Sequence, residues 1–317
     1  GTLNVITGAA VIEARKKDLV VPTFVKHIAD TGKYEGAYVG EPVKGFQDGI
    51  VSFDVNSLYP NIMISLNLSP ETKMGRFEID TDDKVTVHKI KGQPNTLTKD
   101  NFIKVVREQN LSISKAKVLF AQDRQGIFPG IVDNFYKERR KIIKEMNKLK
   151  RQLHNLSDDD PARIALEDRI NKRHIKQFTI KIFINTVYGY FGNKHAPMGD
   201  TDISRSITLT GQAVIKQSNK ILTEYFKSRC NLTDEDIKQT PCIIYNDTDS
   251  VYITIKALVD KLGIPFKTKR GRVTKDVHKL VDDIEDHLNV EIKKWGHDAL
   301  NSSDCRLQFK RESICDV

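Results

Sequence analysis

The spacing of hydrophobic and polar positions predicts an alternation of short strands and longer helices along most of the chain. The apolar run GIVSFDV at residues 49–55 predicts a strand, and the apolar spacing in residues 56–68 predicts a helix directly after it. A further strand is predicted at 84–90 and a helix at 99–108. The first strand therefore passes into a helix at positions 54 to 56.

The 48 residues before this strand have a mixed pattern. A strand-like run lies at residues 19–24, and the turn-rich tract GAYVGEP lies at 36–42. We expect a leading segment of mixed structure there.

In the middle of the chain the periodicity becomes long and helical. One helix is predicted over residues 129–151, and a second over 162–188 with its end at Gly189. The sequence NLSDDDPAR between them predicts a turn in which Asp160 is the N-cap and Pro161 is the first helical residue. Two long helices joined by a short turn predict an antiparallel helical hairpin.

After the hairpin the pattern returns to mixed helices and strands. The predicted elements are a helix at 204–228, the strands CIIY and SVYITI on either side of NDTD at 246–249, a helix at 274–295 and a final strand in RLQFKRESI at 306–314. We expect the strands before and after the hairpin to share one sheet in an α+β fold. This organisation divides the chain into residues 1–128, a projecting hairpin at 129–192 and residues 193–317.

The charge of the chain predicts the kind of partner that it binds. Lysine and arginine number 51 against 42 aspartate and glutamate residues, and the formal net charge of +9 favours a polyanionic partner. The four cysteines include no CxxC pair and no histidine at zinc-ligand spacing, which fits a reducing compartment. No segment approaches the roughly 20 apolar residues of a membrane span, so we expect a soluble, cytoplasmic protein with no membrane partner.

Three aspartates near strand ends are the candidate catalytic residues. Asp54 lies at the end of the first predicted strand, and Asp247 and Asp249 lie in the turn between CIIY and SVYITI. We expect all three to project from rigid elements into a common cleft, where carboxylate oxygens can bind Mg²⁺ together with substrate phosphates. Taken singly, each aspartate is better explained as a cap or a solvent contact.

The helix that follows Asp54 begins with backbone amides that suit a phosphate group. The amides of Ser57, Leu58 and Tyr59 carry the partial positive charge of a helix N-terminus. Tyr59 also falls one turn from Asp54, where the sugar of a nucleotide would lie. A buried packing role is the other explanation for an aromatic residue at this position.

The two helices of the predicted hairpin carry further polar candidates. On the second helix, Lys181, Asn185 and Tyr188 are spaced i, i+4 and i+7 and share one face. On the first helix, Arg140 and Lys144 are spaced i, i+4 within a basic run. A basic run is usually a solvated helix face, and a row of phosphate ligands is the alternative interpretation.

Three of these segments together resemble a known enzyme family. The strings DVNSLYPNI at 54–62, KIFINTVYG at 181–189 and YNDTDS at 245–250 closely resemble, in the same order, the three polymerase motifs of the family B DNA-directed DNA polymerases. LNLSPETK at 66–73 and FGN at 191–193 are similar to the T-even-type bacteriophage replicative polymerases of that family. The resemblance spans nearly the whole chain.

The resemblance implies a fold and an activity. The fold is a ferredoxin-like, or RNA-recognition-like, palm sheet with helices, interrupted by a helical-hairpin fingers domain at 129–192. The activity is template-directed addition of deoxynucleoside triphosphates to a primer 3′ end by a two-metal mechanism with Mg²⁺, for which Mn²⁺ can substitute. The implied partners are primer-template DNA, deoxynucleoside triphosphates and a sliding clamp.

The resemblance also assigns roles to individual residues. It assigns the two metal ions to Asp54, Asp249 and the backbone carbonyl of Val55, with Asp247 in support. For the nucleotide, it places Tyr59 under the deoxyribose and against a 2′-hydroxyl, and it assigns the phosphates to Lys181, Arg140 and Lys144. It assigns the nucleotide and the nascent base pair to Asn185 and Tyr188. Glu312 and Lys310 in FKRESI resemble accessory positions near the metals, and an exposed strand position is the other interpretation of Glu312.

Some features depart from the family pattern. Asn246 stands where the family commonly has glycine in the turn, and because asparagine tolerates positive φ we expect the turn to be kept. No DxE-type motif of a proofreading exonuclease precedes Gly49, and the chain stops before the family's thumb. We therefore expect no exonuclease in this chain and a second chain or missing segment that supplies thumb and exonuclease. One piece of a split polymerase and a catalytically silent nucleic-acid-binding subunit are the alternatives.

The basic tract KTKRGRVTK at 267–275 has two interpretations. Its cations either contact the duplex backbone or belong to a mobile loop.

Overall fold

The computed structural model describes residues 1–21, 35–80, 82–90 and 93–315 of the chain. Its helices are α1 (Thr2–Lys16), α2 (Leu58–Ser65), α3 (Lys99–Glu108), α4 (Ile127–His154), α5 (Ala162–Phe191), α6 (Thr201–Cys230), α7 (Asp234–Gln239), α8 (Lys256–Leu262) and α9 (Lys275–Leu300). Its strands are β1 (Ile50–Val55), β2 (Lys73–Ile79), β3 (Lys84–Lys89), β4 (Asn95–Thr98), β5 (Leu111–Ile113), β6 (Val118–Ala121), β7 (Ile243–Asp247), β8 (Ser250–Thr254) and β9 (Phe309–Cys315). These elements make the chain an α+β protein.

The leading segment contains a helix that the hydrophobic pattern does not predict. Helix α1 buries Ile6, Ala10 and Ala14 against helices α4 and α5. Alanines at a four-residue spacing pack closely but carry little hydrophobic signal, so the pattern there resembles that of a mixed segment. Of the strand-like run at 19–24, residues 19–21 form no strand and residues 22–24 lie outside the described part of the chain.

A four-stranded antiparallel sheet in the order β7-β8-β1-β9 lies within the main core. Apolar side chains of the central strand β1, such as Val51 and Phe53, are fully buried. Helix α6 contacts β7 and β8, and helix α9 contacts β9 and α6. Because β1 lies between β8 and β9, Asp54 at its end is opposite Ser250 on one side and Lys310 on the other.

The prediction of one shared sheet holds for β1, which pairs with β8 and β9, but is wrong for the strands between β1 and the helical hairpin, which form a separate sheet. The order of this sheet is β4-β3-β2-β6-β5, and α3 packs against it over a small separate core. Strand β2 buries only alternate positions, which suits a sheet with one solvated face. Asp202 at the start of α6 joins this sheet to the main core through ion pairs with Lys73 at 2.6 Å and Arg76 at 2.7 Å.

Helices α4 and α5 form the long hairpin. Ion pairs join Glu145 to Arg173 and Glu138 to Lys176, as expected of two antiparallel helices. Helix α5 continues through Gly189 to Phe191 instead of ending at the glycine. Helix α5 begins at Ala162 with Pro161 as its N-cap, one residue later than predicted, and the carboxylate of Asp160 accepts a hydrogen bond from the amide of Ala162 at 2.8 Å. None of the helices in the described ranges combines the length and the apolar character needed to cross a membrane.

Candidate active site

The strand ends that carry the candidate aspartates meet at one end of the main sheet. The amide of Val55 donates a hydrogen bond to the carbonyl oxygen of Asp249 at 2.8 Å. The hydroxyl of Ser250 donates to Oδ1 of Asp54 at 3.0 Å. These two hydrogen bonds hold the end of β1 against the turn between β7 and β8, and they place Asp54 and Asp249 side by side.

The turn between β7 and β8 depends on a left-handed residue at Thr248. Thr248 has a φ of 51°, and its amide donates to the carbonyl oxygen of Tyr38 at 2.9 Å. Asn246 does not occupy the turn as expected, because it lies within β7 with 3% of its surface exposed. A left-handed backbone is unfavourable for a β-branched residue, so the surrounding hydrogen bonds must hold this turn in place.

The carboxylates of Asp249 and Asp54 repel one another and are partly withdrawn from water. Burial, followed by the negative charge of Asp54, raises the pKa of Asp249 to about 6. Asp247 and Glu312 contribute smaller shares of that shift. Burial also raises the pKa of Asp54, although the hydrogen bond from Ser250 opposes the shift. A cation between Asp54 and Asp249 would relieve their repulsion.

The two carboxylates have the chemistry of a partial magnesium site. In the described ranges, no group of three or more histidine, cysteine, aspartate or glutamate side chains is gathered to hold a metal ion. Magnesium is usually held by one or two carboxylates, with water and substrate phosphates as its other ligands. Asp54 and Asp249 therefore fit a Mg²⁺ site that a phosphate-bearing substrate completes.

Helix α2 begins directly beyond β1 and presents its first turn to the same region. Its N-cap, Ser57, has a left-handed backbone with a φ of 51°. Asn61 braces this strand-to-helix turn by donating a hydrogen bond from Nδ2 to the carbonyl oxygen of Asn56 at 2.5 Å. The N-terminal turn of a helix carries a partial positive charge, so the start of α2 suits a bound anion.

A cleft of about 430 Å³ lies between the end of β1, the start of α2 and helix α5. The sequence-predicted residues that line it are Asp54, Ser57, Leu58, Tyr59, Lys181, Asn185, Tyr188 and Asp249. Asn56, Pro60, Arg139 and Thr248 also line it, and sequence reasoning did not single them out as site residues. The positive charge of Lys181 opposes the raised pKa of Asp54, which places the ammonium group within electrostatic reach of the carboxylate pair.

The ring of Tyr59 has its position fixed by two neighbours. It is half-buried, and its centroid lies 4.8 Å from that of the Tyr188 ring. On its other side it packs on Gly211 of α6, where an added Cβ would lie only 3.1 Å from Cε1 of Tyr59. Gly211 therefore permits the close approach of this ring, and a lone glycine in a helical pattern gave no signal of that contact.

On helix α4, the structure brings a different arginine to the cleft from the one that the i, i+4 spacing favours. Arg139 lines the cleft, and its Nε donates to Oε1 of Gln177 on α5 at 3.2 Å. Arg140 and Lys144 line a separate groove formed by α4. Arg139 shares a helix face with the buried Ile142, three residues later, so the phase of the buried positions is the signal that could have found it.

Three further candidates lie near the carboxylates but outside the lining of the cleft. Asp247 is exposed and accepts a hydrogen bond from the hydroxyl of Thr248 at 3.0 Å. Glu312 is exposed on β9, and its charge adds to the effect of burial in raising the pKa of both aspartates that flank the cleft. Lys310 is exposed and pairs with Asp54 in the register of β1 and β9.

The basic tract at 267–275 forms a turn ahead of α9. An isolated bridge pairs Lys267 with Val273, and the amide of Thr268 donates to the carbonyl of Arg272 at 2.8 Å. Its lysine and arginine side chains are exposed.

This chain is similar to one family of known proteins. The family model described as DNA polymerase family B matches residues 4–264. The DNA-directed DNA polymerase of Escherichia phage RB69 is 25% identical over 78% of this chain and 29% of its own length. The DNA-directed DNA polymerase of Enterobacteria phage T4 is 25% identical over 80% of this chain and 30% of its own length. The DNA polymerase of Archaeoglobus fulgidus is 26% identical over 89% of this chain and 26% of its own length. The chain thus spans less than a third of these relatives.

Proposed function

The chain belongs to DNA polymerase family B, and we propose that it carries the nucleotide-adding site of a DNA-directed DNA polymerase. The proposed reaction joins the primer 3′ oxygen to the α-phosphorus of a deoxynucleoside triphosphate paired with the template, and pyrophosphate leaves. The observation that carries the proposal is that Asp54 and Asp249 line the same cleft as Lys181 and Arg139. Negative ligands for cations and positive ligands for phosphates therefore face a common space.

In this proposal the main sheet is the palm and the helical hairpin is the fingers. Support comes from the order of elements along the chain, in which β1 and helix α6 precede the adjacent strands β7 and β8, and helix α9 precedes β9. Together with the sheet order β7-β8-β1-β9, this order agrees with the βαββαβ arrangement expected of a ferredoxin-like fold. The hairpin leaves the palm between β1 and α6, so it can contribute Lys181, Asn185 and Tyr188 to the cleft from the opposite side.

Asp54 and Asp249 are the proposed ligands of two Mg²⁺ ions, with the backbone carbonyl of Val55 as a further ligand and Mn²⁺ as a substitute. When bound, the two cations would activate the primer 3′ oxygen and neutralise the leaving pyrophosphate. Support comes from burial and, second to it, like charge, which raise the pKa of Asp54 and of Asp249, since bound cations would compensate both effects. Asp247 and Glu312 add negative charge around this pair.

The triphosphate is the proposed ligand of the positive side of the cleft. Lys181 and Arg139 would pair with its oxygens, and the amides at the start of α2 would donate to them. Arg140 and Lys144 line a separate groove, so they would reach the β and γ phosphates only if α4 turned toward the palm. Arg139 is therefore the proposed phosphate ligand on α4.

The sugar and base are assigned to the aromatic and amide side chains of the cleft. Tyr59 would lie under the deoxyribose, where its ring would leave no space for a 2′-hydroxyl. Support comes from its contacts with Tyr188 and Gly211, which leave the ring little freedom to move away. Asn185 and Tyr188, one helical turn apart, would contact the nascent base pair.

The test is addition of a single nucleotide to a primer-template with Mg²⁺ and one deoxynucleoside triphosphate at a time. The chain is used in excess over DNA at low salt, because phosphate contacts dominate affinity and weaken as salt rises. We expect addition of the nucleotide complementary to the template base and little addition of the other three. Absence of any extension would contradict the proposal, and extension that ignores the template base would point to an untemplated nucleotidyltransferase.

A further inference from the structure

Two asparagine side chains join helix α6 to the strand that leads into the aspartate turn. Asn246 of β7 is 3% exposed, and its Nδ2 donates to Oδ1 of Asn219 at 3.1 Å. Nδ2 of Asn219 returns a hydrogen bond to Oδ1 of Asn246 at 2.8 Å. The reciprocal pair satisfies the buried amide of Asn246, which would otherwise be left without partners at a considerable cost.

A stretch of chain around Gly40 holds the same strand from its other edge. The amide of Gly40 donates to the carbonyl oxygen of Asn246 at 2.9 Å, and its backbone packs on the Asn246 side chain. The carbonyl of Tyr38 accepts from the amide of Thr248 in the turn at 2.9 Å. The ammonium of Lys216 lies 5.1 Å from the centre of the Tyr38 ring, so α6 contacts this stretch as well. Asn246 is therefore held both through its side chain and through its backbone.

The backbone ladder of β7 does not fix this strand by itself. Its pairing with β8 has an irregularity between Ile243 and Tyr245, and the ladder beyond that point is short. Strand side chains alternate between faces, so the inward position of Asn246 sets the outward position of Asp247. A slip of one residue would reverse both positions and break the amide pair, which makes the slipped register unfavourable.

We propose that Asn219 and Asn246 are a positioning pair that fixes the register of the β7–β8 turn and thereby the place of the Asp249 carboxylate beside Asp54. The amides touch no reacting atom and act only through the turn. This inference rests on the proposed function, because it takes Asp249 to be a cation ligand. A pair that only stabilised the fold would change the unfolding free energy and leave cation affinity unaltered.

The experiment measures Mn²⁺ affinity directly, without catalysis. Mn²⁺ is titrated into the chain bound to primer-template and a non-hydrolysable deoxynucleotide analogue, and free Mn²⁺ is followed by electron paramagnetic resonance. The variants are Asn219→Leu, which keeps the volume and removes the amide, Asn246→Ala, and the double substitution. The matched control is Glu224→Ala, which removes a different hydrogen bond of α6, from Nζ of Lys227 to Oε1 of Glu224 at 3.2 Å.

We expect each single variant to bind Mn²⁺ about 10- to 100-fold more weakly, in the range typical for the loss of a residue that orients a metal ligand. The double variant should lose no more Mn²⁺ affinity than whichever single variant binds Mn²⁺ more weakly, because the two amides act as one unit. The control should bind as the unaltered chain does. If Asn246→Ala fails to fold cooperatively, Asn219→Leu decides, since its position is only half-buried.

Two outcomes would overturn the inference in different ways. Folded variants that bind Mn²⁺ as tightly as the unaltered chain would reject the positioning role and leave the proposed function standing. An unaltered chain that binds no Mn²⁺ in this complex would reject the proposed cation role itself, and the inference would fall with it.

Discussion

Replacement of Asp249 by asparagine should stabilise the fold in the absence of divalent cations while it removes a proposed catalytic group. The side chain is partly buried beside Asp54, and burial and this neighbouring charge raise its pKa from 3.8 to about 6. A raised carboxyl pKa means that ionisation of Asp249 opposes folding. Asparagine has nearly the same shape and carries no charge, so it should remove this opposition.

The size of the expected stabilisation, and the pH range over which it develops, follow from the pKa shift of Asp249. A shift of about two pKa units corresponds to about 3 kcal/mol in full, and since the carboxyl is only partly withdrawn from water we expect about 1–2 kcal/mol. Between pH 3.8 and about 6 the folded chain binds more protons at Asp249 than the unfolded chain does. Stability of the unaltered chain therefore falls as pH rises through this window. The advantage of the variant should be complete above the window and absent below it.

The assay is urea unfolding of the unaltered chain and of Asp249→Asn at pH 8 and at pH 4, with a chelator present. Asp286→Asn, an exposed carboxylate on α9, is the matched control and should change little at either pH. We expect a higher unfolding free energy for Asp249→Asn at pH 8 and near equality at pH 4. Equal or lower stability of that variant at pH 8 would refute the argument that the two aspartates repel one another in the folded state.

Three further substitutions test other parts of the account. Tyr59→Ala should raise ribonucleotide use relative to deoxyribonucleotide use by about tenfold or more, measured as the ratio of kcat/KM values; an unchanged ratio would reduce Tyr59 to a packing role. Arg139→Ala should raise KM for the nucleotide by about tenfold, whereas Arg140→Ala should change it little; the reverse order would reassign the phosphate ligand on α4. Asp202→Ala should cost about 2 kcal/mol in urea unfolding, because it removes a buried carboxylate that binds both Lys73 and Arg76, although Lys73 keeps Asp200 as a partner; a loss below about 0.5 kcal/mol would contradict this.

Local pattern was sufficient to locate the elements that carry the carboxylates. The apolar run of β1, its polar end at Asp54 and the paired strands around Asp249 each have a signal within a few residues. The helical hairpin was equally visible, because α4 and α5 are long and the turn between them contains a capping aspartate and a proline. Most residues predicted to bind a nucleotide consequently line one cleft.

Features that depend on contacts between distant segments were not predictable in this way. The separation of β2–β6 into their own sheet depends on which strands pair, and strand patterns alone do not determine partners. The position of Arg139 depends on the phase of α4 against α5, and the close approach at Gly211 depends on a ring from another helix. Asn246 was expected in the turn, but its amide is held inside β7 by Asn219, which is 27 residues away along the chain.

Single-turnover addition of the correct nucleotide by Asp54→Asn and Asp249→Asn shows whether these two carboxylates hold the catalytic cations. We expect each variant to lose at least about a hundredfold in rate with Mg²⁺, because the cations would lose a ligand that positions them. Affinity for primer-template should be retained, since phosphate contacts from lysine and arginine dominate it. Asp286→Asn should react as the unaltered chain does. Nucleotide addition at the unaltered rate by either variant at Asp54 or Asp249, with primer-template still bound, would contradict the assignment of these two carboxylates.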